Sequence, residues 1–394
     1  MPRTQVAIVG AGPAGLLLAH LLRLRGIDSV VLERQSREHV ERRIRAGVLE
    51  QGSVDLLASV GLADRLLAQR LVHTGVELLF DGTGHRIPLT ELAGRELTIY
   101  GQHELVKDLV AARLATGEPL LFDAPVVAVE DHTGSPVVRY VHEGREVELR
   151  CDFVAGCDGY HGVSRASVPA GALTAIDHAY PYAWLGVLAN VAPSSAELVY
   201  AAHERGFALH SMRSPTVTRL YLQVAPDEDL ASWPDSRVWT ELGTRLARGS
   251  GFALRTGEIV DKAVTALRGF VVEPMRHGRL FLAGDAAHIV PATGAKGLNL
   301  AVVDVAVLAS ALSRYYADGD ESGLDSYSAT CLSRVWRAQH FSWWMTSMLH
   351  RPPDEDPFAR RLRLSQLRYL TSSHAAATSF AENYVGLPFP EGVP

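Results

Sequence analysis

The stretch that decides the fold is Val6-Ala7-Ile8-Val9-Gly10-Ala11-Gly12-Pro13-Ala14-Gly15, running on through Leu16 to Arg25 and Gly26 into Ser29-Val30-Val31-Leu32-Glu33. A β-branched apolar run enters a glycine turn, a helical pattern leaves it, Gly26 stops the helix and a second apolar run follows. That order spells a βαβ unit with two parallel strands and a crossover helix. Gly10, Gly12 and Gly15 let the backbone approach a pyrophosphate at the helix N-terminus, where unpaired N–H groups and the helix dipole favour negative charge. Glu33 ends the second strand, where a carboxylate can accept hydrogen bonds from ribose hydroxyls. A glycine turn that merely packs helix on sheet is the bland alternative; the flanking strand, helix and acid favour dinucleotide binding.

Outward from this unit, strands are expected at Val76 to Phe80, Leu120 to Phe122, Val126 to Glu130, Val137 to His142, Val147 to Leu149 and Phe153 to Ala155. Several are too close together for crossover helices, so an antiparallel insertion is expected. Alternating segments at Leu198 to Ala201, Phe207 to His210 and Arg219 to Val224 predict a second, sheet-containing domain. The chain then returns to a strand and turn at Leu280 to Asp285, a long helix from about Leu298 to Tyr316, and a helical end broken at Arg351-Pro352-Pro353. The fold class is α/β, mixed with α+β: a Rossmann-like domain with an inserted sheet domain and a helical C-terminal region. The expected division is 1–179 and 270–345 for the first domain, 180–269 for the sheet domain and 346–394 for the helical end.

Composition narrows the function classes. With 47% hydrophobic residues and a net charge of −6, the chain is globular, and overall charge disfavours a nucleic-acid partner. Cys151, Cys157 and Cys331 form no CxxC pair and read as buried thiols; the sixteen histidines show no ligand spacing, so no metal is expected. The chain opens almost directly on a strand, and the apolar stretch Leu298 to Leu312 carries Asn299 and Asp304 and is short for a membrane span. A cytoplasmic protein acting on small molecules is expected, with no membrane partner.

Two further motifs follow apolar strands: Cys157-Asp158-Gly159-Tyr160-His161-Gly162-Val163-Ser164-Arg165 and Gly278-Arg279-Leu280-Phe281-Leu282-Ala283-Gly284-Asp285-Ala286-Ala287-His288. Either alone could be a structural turn. In this order after GxGxxG, the chain resembles the single-component flavoprotein aromatic hydroxylases, and among them the 4-hydroxybenzoate 3-monooxygenase family. The likeness extends through Arg43 to Gln51, Trp184-Leu185-Gly186, Val272-Glu273-Pro274-Met275, Thr293 to Leu300, Phe341 to Thr346 and Glu382 to Pro388.

The resemblance implies an FAD enzyme that takes hydride from NADH or NADPH. It would use O2 through a flavin C4a-hydroperoxide to hydroxylate 4-hydroxybenzoate at C3, giving 3,4-dihydroxybenzoate. It places FAD on Gly10, Gly12, Ala14, Gly15, Glu33, Arg43, Arg45, Gln102, Asp158, Asp285, Lys296, Leu298 and Asn299, with Lys296 and Asn299 at the helix N-terminus that faces the flavin's pyrimidine edge. It gives the substrate carboxylate to Ser211, Arg213 and Tyr221, and sets Arg219 nearer the flavin. Tyr200 and Tyr384 would sit beside the substrate's 4-hydroxyl, with His73 at the far end of a proton chain. A phenol of pKa near 10 is mostly neutral at pH 7, and losing its proton makes C3 the nucleophile. Arg34, Arg43, His161, Arg165 and Arg268 would hold the nicotinamide co-substrate, and a homodimer through the helical end is implied.

The sequence departs from the family pattern at several places. Ala292 follows Pro291 where many members have a second proline whose carbonyl meets the substrate phenol, and His210 replaces a smaller residue beside Ser211. Around Ser36-Arg37-Glu38-His39, Glu38 and Glu41 would repel a 2′-phosphate while Arg34, Arg37 and Arg42 would attract one, which tips the reading toward NADH or dual use. The alternatives are another para-substituted benzoate such as 4-aminobenzoate, a non-catalytic flavin redox sensor, and a dehydrogenase without flavin.

Overall fold

The computed structural model describes residues 2–43, 47–249 and 252–390. Arg3–Val9 is the central strand of the first sheet, parallel to Ser29–Leu32 on one side and to Arg145–Gly156 on the other. Leu120–Leu121 and Leu280–Leu282 extend the sheet in parallel on either side, and Arg276–His277 pairs antiparallel outside the latter. Val6 to Val9 are buried on both faces, as a parallel strand covered by helices requires. Pro13–Leu24 begins with proline in its first turn and buries Leu16, Leu17, Leu18, Leu21 and Leu22; Gly26, at φ +68°, follows its end. The expected strands at Val147 and Phe153 are one continuous strand, whose first half pairs antiparallel with Val137–His142 and whose second half joins the parallel core. This is the antiparallel insertion expected from the spacing.

The second sheet has eight strands in the order His288–Ile289, Glu258–Glu273, Thr174–Asn190, Val217–Val224, Gly206–Ser214, Leu198–His203, Val76–Phe80, Thr83–Ile87. Positions 180 and 269 thus fall inside two long paired strands rather than in loops, and a hairpin from the first segment completes the sheet. One face packs Leu220, Leu222 and Ala208 against Val238 and Leu242 of the Asp235–Arg245 helix. The other face meets the C-terminal helices through Trp184, Tyr200, Phe207, Phe341 and Tyr384.

Gly297–Asp318 is 22 residues long, and by length and composition alone could cross a membrane, contrary to the short-span reading. It is instead packed inside the protein against Pro13–Leu24 and Ser322–Leu349, which accounts for its apolar character. The helical end breaks where expected, between Ser322–Leu349 and Pro357–Ser372. Cys151, Cys157 and Cys331 are buried free thiols, and burial pushes Cys151 up to about 12.

Candidate active site

The three motifs and Glu33 converge at the carboxyl ends of four neighbouring parallel strands, the place where open α/β sheets bind ligands. Backbone bonds tie those ends together: Gly10 N–H donates to Leu32 O at 2.8 Å, Cys157 N–H to Val9 O at 2.8 Å and Ala283 N–H to Gly156 O at 3.0 Å. Glu33 accepts from the Ala11 amide and the Gln35 amide, each at 2.8 Å, so it shapes the glycine loop.

The glycines divide by cause. A Cβ on Gly10 would lie 2.5 Å from Cys157 O, and one on Gly15 would lie 2.0 Å from Gly10 O, so close backbone packing demands both. Gly12 has nothing within 4 Å, which leaves the helix entrance open to a ligand. No side chain caps that helix and no acid sits in its first turn, so its N–H groups and dipole offer an anion cradle. Ala14 lies beside Gly284 on the opposite lip.

Asp158 Oδ2 accepts from Ser164 N–H and Oγ–H at 2.8 and 2.9 Å, holding the turn into Val163–Ala166, while its buried Oδ1 has no partner. Burial pushes its carboxyl up, against these hydrogen bonds. Asp285 is half-buried in the Gly284–Ala286 turn. That turn is stapled from below by Asp304, whose Oδ2 accepts from Gly284 N–H at 2.9 Å and bonds His288 Nε2 at 2.6 Å. Desolvation works to lower the His288 pKa, but Asp304 raises it overall. The sequence reading noticed Asp304 only as an interruption of an apolar run, although an acid inside a buried helix was itself a hint.

Gln102 opens the Gln102–Ala115 helix and is half-buried, as is Leu298; Arg43 is exposed, and Arg45 lies outside the described residues. The side chains of Lys296 and Asn299, at the start of the Gly297–Asp318 helix, are engaged by protein groups. Lys296 Nζ donates to Glu50 Oε1 at 2.6 Å and Tyr384 O at 2.8 Å. Asn299 donates to Val48 O and Ala295 O and accepts from Glu50 N–H and Ser53 Oγ–H, which fills its amide. Both brace the start of the Gly297–Asp318 helix, whose own first-turn amides have neither side-chain cap nor acid.

The second sheet sorts its residues by the period of two. Register pairs Tyr200 with Leu209, Leu209 with Tyr221 and Ser211 with Arg219, so Tyr200, Ser211, Arg219 and Tyr221 share one face, which Arg213 reaches from a bulge between Met212 and Ser214. Arg213 Nη1 donates to Ser211 Oγ at 3.0 Å, and Nη2 lies 3.5 Å from Tyr221 Oη. Its Nε is buried without a partner, and among the described residues no carboxylate pairs with it. Burial and the nearby Arg219 lower its pKa, the condition of a cation that an anionic ligand would relieve. Arg219 already pairs with Asp261 at 3.2 Å and lies over the Tyr221 ring.

Tyr200 and Tyr384, 184 residues apart, share a short hydroxyl-to-hydroxyl hydrogen bond and are almost fully buried. Burial raises both phenols well above 10, so both are neutral at pH 7. His73 is buried with neither ring nitrogen partnered among the described residues, and burial lowers it to about 4 against the pull of Glu197. No direct side-chain bond joins it to the tyrosine pair among the described residues. Ala292 is exposed and its carbonyl accepts from Ala295 N–H at 3.1 Å. His210, expected beside the carboxylate site, points to the opposite face because it alternates with Leu209 and Ser211; its Nε2 accepts from Ser194 N–H at 3.0 Å.

A cation cluster stands apart from the Arg213 group. Arg165 and Arg268 both lie against the Tyr160 ring, at 4.8 and 4.4 Å, and Arg268 pairs with Asp177. His161, exposed, packs edge-on against the same ring; Arg34 is exposed after Ser29–Leu32. The sequence reading missed His350, which locks the sheet to the C-terminal helices. Its Nε2 accepts from Trp184 Nε1–H at 2.6 Å, which leaves the proton on Nδ1, 3.0 Å from Thr346 O. Tyr182 and Phe207 stack on it, and burial lowers it to about 3.

Comparison with known proteins shows the family. The family model described as "FAD binding domain" matches residues 3–342. The p-hydroxybenzoate hydroxylase of Acinetobacter baylyi is 49% identical over 388 residues, covering 98% of this chain and 96% of its own. The 3-amino-4-hydroxybenzoate 2-monooxygenase of Streptomyces cremeus is 30% identical, with 92% of each chain covered. Among solved structures, the p-nitrophenol 4-monooxygenase of Pseudomonas putida superimposes with a TM-score of 0.83 at 20% identity, covering 98% of this chain and 99% of its own, a likeness of fold.

Proposed function

This chain belongs to the single-component FAD-dependent aromatic hydroxylase family, and from that premise we propose that it converts 4-hydroxybenzoate, O2, NADH or NADPH and a proton into 3,4-dihydroxybenzoate, water and the oxidised nicotinamide. The observation that carries the substrate is the pairing of a half-buried cation without a carboxylate among the described residues, Arg213, with a buried phenol pair, Tyr200 and Tyr384, at the same side of one sheet. A para-hydroxylated benzoate has the matching groups: an anion at one end of a flat ring and a phenol at the other.

The residues fit FAD. The open Gly12 entrance and uncapped helix would take the pyrophosphate, Glu33 the adenosine ribose and Asp285, stapled by Asp304, the ribityl chain. Arg43, Arg45, Gln102 and Asp158 complete this proposed set. The amides of the Gly297–Asp318 helix, braced by Lys296 and Asn299, would face the flavin's pyrimidine edge together with Leu298. When bound, FAD supplies the chemistry that accepts hydride from the nicotinamide and activates O2. Arg165, Arg268 and His161 around Tyr160, with Arg34 and Arg43, would receive the nicotinamide.

At the substrate, Arg213 with Ser211 and Tyr221 would bind the carboxylate through charge-assisted and neutral hydrogen bonds. Tyr200 would accept the hydrogen bond of the 4-hydroxyl and pass its proton to Tyr384 and on toward His73, which makes C3 electron-rich. Arg219, neutralised in part by Asp261, would stand on the flavin side. Ala292, exposed and without a fixed φ, confines the phenol end less than proline would, and this favours testing 4-aminobenzoate as a second substrate.

The proposed division assigns 1–179 and 270–345 to FAD, 180–269 to substrate and 346–394 to a homodimer interface in a cytoplasmic enzyme. Phe358, Leu362 and Tyr369, exposed on one C-terminal helix, support the last assignment. The deciding experiment titrates the flavin spectrum with 4-hydroxybenzoate and identifies the product. Nicotinamide oxidation yielding only peroxide with every benzoate would overturn the hydroxylase reading; no substrate-stimulated oxidation at all would favour the sensor.

A further inference from the structure

The Ser322–Leu349 helix and the residue that ends it carry a polar stripe on a buried face. Gln339, Ser342, Thr346 and His350 fall at i, i+3, i+7 and i+11, one side of a helix, and all four are buried. Gln339 Nε2 donates to Ile289 O at 2.7 Å and to Phe270 O at 3.3 Å, on the two strands at one edge of the second sheet. Ser342 lies against Gly294, where a Cβ would come within 2.3 Å of Ser342 Oγ, so the helix and the Ala292–Gly294 turn meet in close contact. The Thr346 hydroxyl is shared between Ser342 O at 2.6 Å and Thr293 Oγ1 at 2.8 Å. His350 bonds Thr346 O through Nδ1 and accepts from Trp184 Nε1–H. Polar groups out of water cost free energy unless paired, so an apolar stripe would cover this face at less risk. Directed bonds add what apolar packing does not, a single fixed arrangement.

These contacts reach both ends of the proposed substrate pocket. At the phenol end, Ala295, directly after the Ala292–Gly294 turn, packs with Tyr200, Tyr384 and Phe341. At the carboxylate end, the Trp184 ring lies 4.8 Å from that of Tyr221, whose hydroxyl is 3.5 Å from Arg213 Nη2. Gly186, in register with Tyr221, makes room for that ring, since a Cβ there would lie 3.2 Å from it. The turn follows the His288–Ile289 edge strand, and Val217–Val224 lies three strands in from that edge, so the sheet connects the two ends only across about 14 Å of paired strands. The helix connects them within about one turn, from Thr346 to His350. We propose that Thr346 and His350 are positioning residues that fix the span between the Ala292–Gly294 turn and Tyr221, and so select an aromatic acid whose carboxylate sits directly on the ring over one that carries it on an added methylene. This rests on the benzoate reading given above. Both residues act through protein neighbours, Thr346 through Thr293 and His350 through Trp184. A pocket free to lengthen by an ångström accepts either acid, whereas one held at both ends by the same helix rejects the longer.

The test uses FAD-loaded enzyme and compares 4-hydroxybenzoate with 4-hydroxyphenylacetate, one methylene longer, by flavin spectral titration and by product formed per nicotinamide oxidised. The parent is expected to bind the benzoate at least about tenfold more tightly, the lower end of what one methylene is worth in a closed pocket. Thr346→Val keeps the branched shape and removes the hydroxyl; it should lower that ratio at least about threefold, and Thr346→Ser should restore it. His350→Leu, which frees Trp184, should lower the same ratio from the carboxylate end, with KM for the benzoate rising more than kcat falls. Equal affinities of the parent for the two acids overturn this inference alone. So do variants that melt earlier and weaken both acids alike, with the ratio unchanged. A parent whose flavin spectrum responds to neither acid overturns the benzoate reading itself.

Discussion

The glycine cradle and the Arg213 pocket are both built to receive anions, and they do so by opposite means. At residues 10–15 there is no cationic side chain: shape, uncapped amides and a helix dipole provide the positive end. At Arg213 a full charge is held half-buried, its Nε shut off from water, without a carboxylate partner among the described residues. A pyrophosphate is large and needs many donors at close range, whereas a single carboxylate is best gripped by a planar, bidentate cation. The cradle should therefore fail by steric intrusion, and the pocket by loss of charge.

The largest expected effect is at Gly15→Ala, where the new Cβ would collide with backbone at 2.0 Å. The protein should be purified colourless, with FAD affinity down at least about 100-fold. Gly12→Ala sharpens the contrast, because nothing in the protein meets its Cβ. It should unfold at the parental temperature yet hold FAD more weakly, as read by flavin fluorescence. Arg213→Ala should leave the flavin spectrum intact and raise the KM for 4-hydroxybenzoate about 100-fold, the value of a strong charge-assisted contact of about 3 kcal/mol. If FAD is lost as well, the two sites are not independent. Tyr200→Phe should lower hydroxylation about tenfold or more per nicotinamide oxidised while changing substrate affinity little. Product and peroxide yields measure it.

A separate readout is stability against pH. His73 and His210 at about 4 and His350 at about 3 are buried neutral, against 6.5 when unfolded. Below about 6.5 the unfolded chain binds more protons than the folded one, so stability falls as pH drops, continuing to about 4 for the first two and about 3 for the third. Each contributes at most about 1.4 kcal/mol per pH unit in that window. Melting temperatures between pH 7 and 4.5 check this, and His350→Gln should flatten the slope even if it lowers the plateau.

Local chemistry made the cradle legible. The glycine spacing, the strands on either side and Glu33 are neighbours in sequence, and each was found where expected. The second sheet was legible as alternation, but a strand pattern does not say which face meets which element. His210 shows the cost: next to Ser211 in sequence, it is on the other side of the sheet. Lys296 and Asn299 carry suitable groups for a flavin edge, yet Glu50, Val48 and Tyr384 O, all distant in sequence, engage them. Asp304 and His350 act through contacts with residues 16 and 166 positions away, which no local pattern reveals.

By itself the sequence determined the βαβ opening, the alternating strands, and the charges available for phosphates and a carboxylate, because these depend on spacing and residue type along a short length of chain. Only the tertiary structure decided which side chains remained available to ligands. Packing two sheets and four C-terminal helices together joined Tyr200 to Tyr384, occupied Lys296 and Asn299 with protein partners and left Arg213 without a carboxylate among the described residues. A buried polar group takes whatever partner the fold brings within reach, and the fold is set by the whole chain.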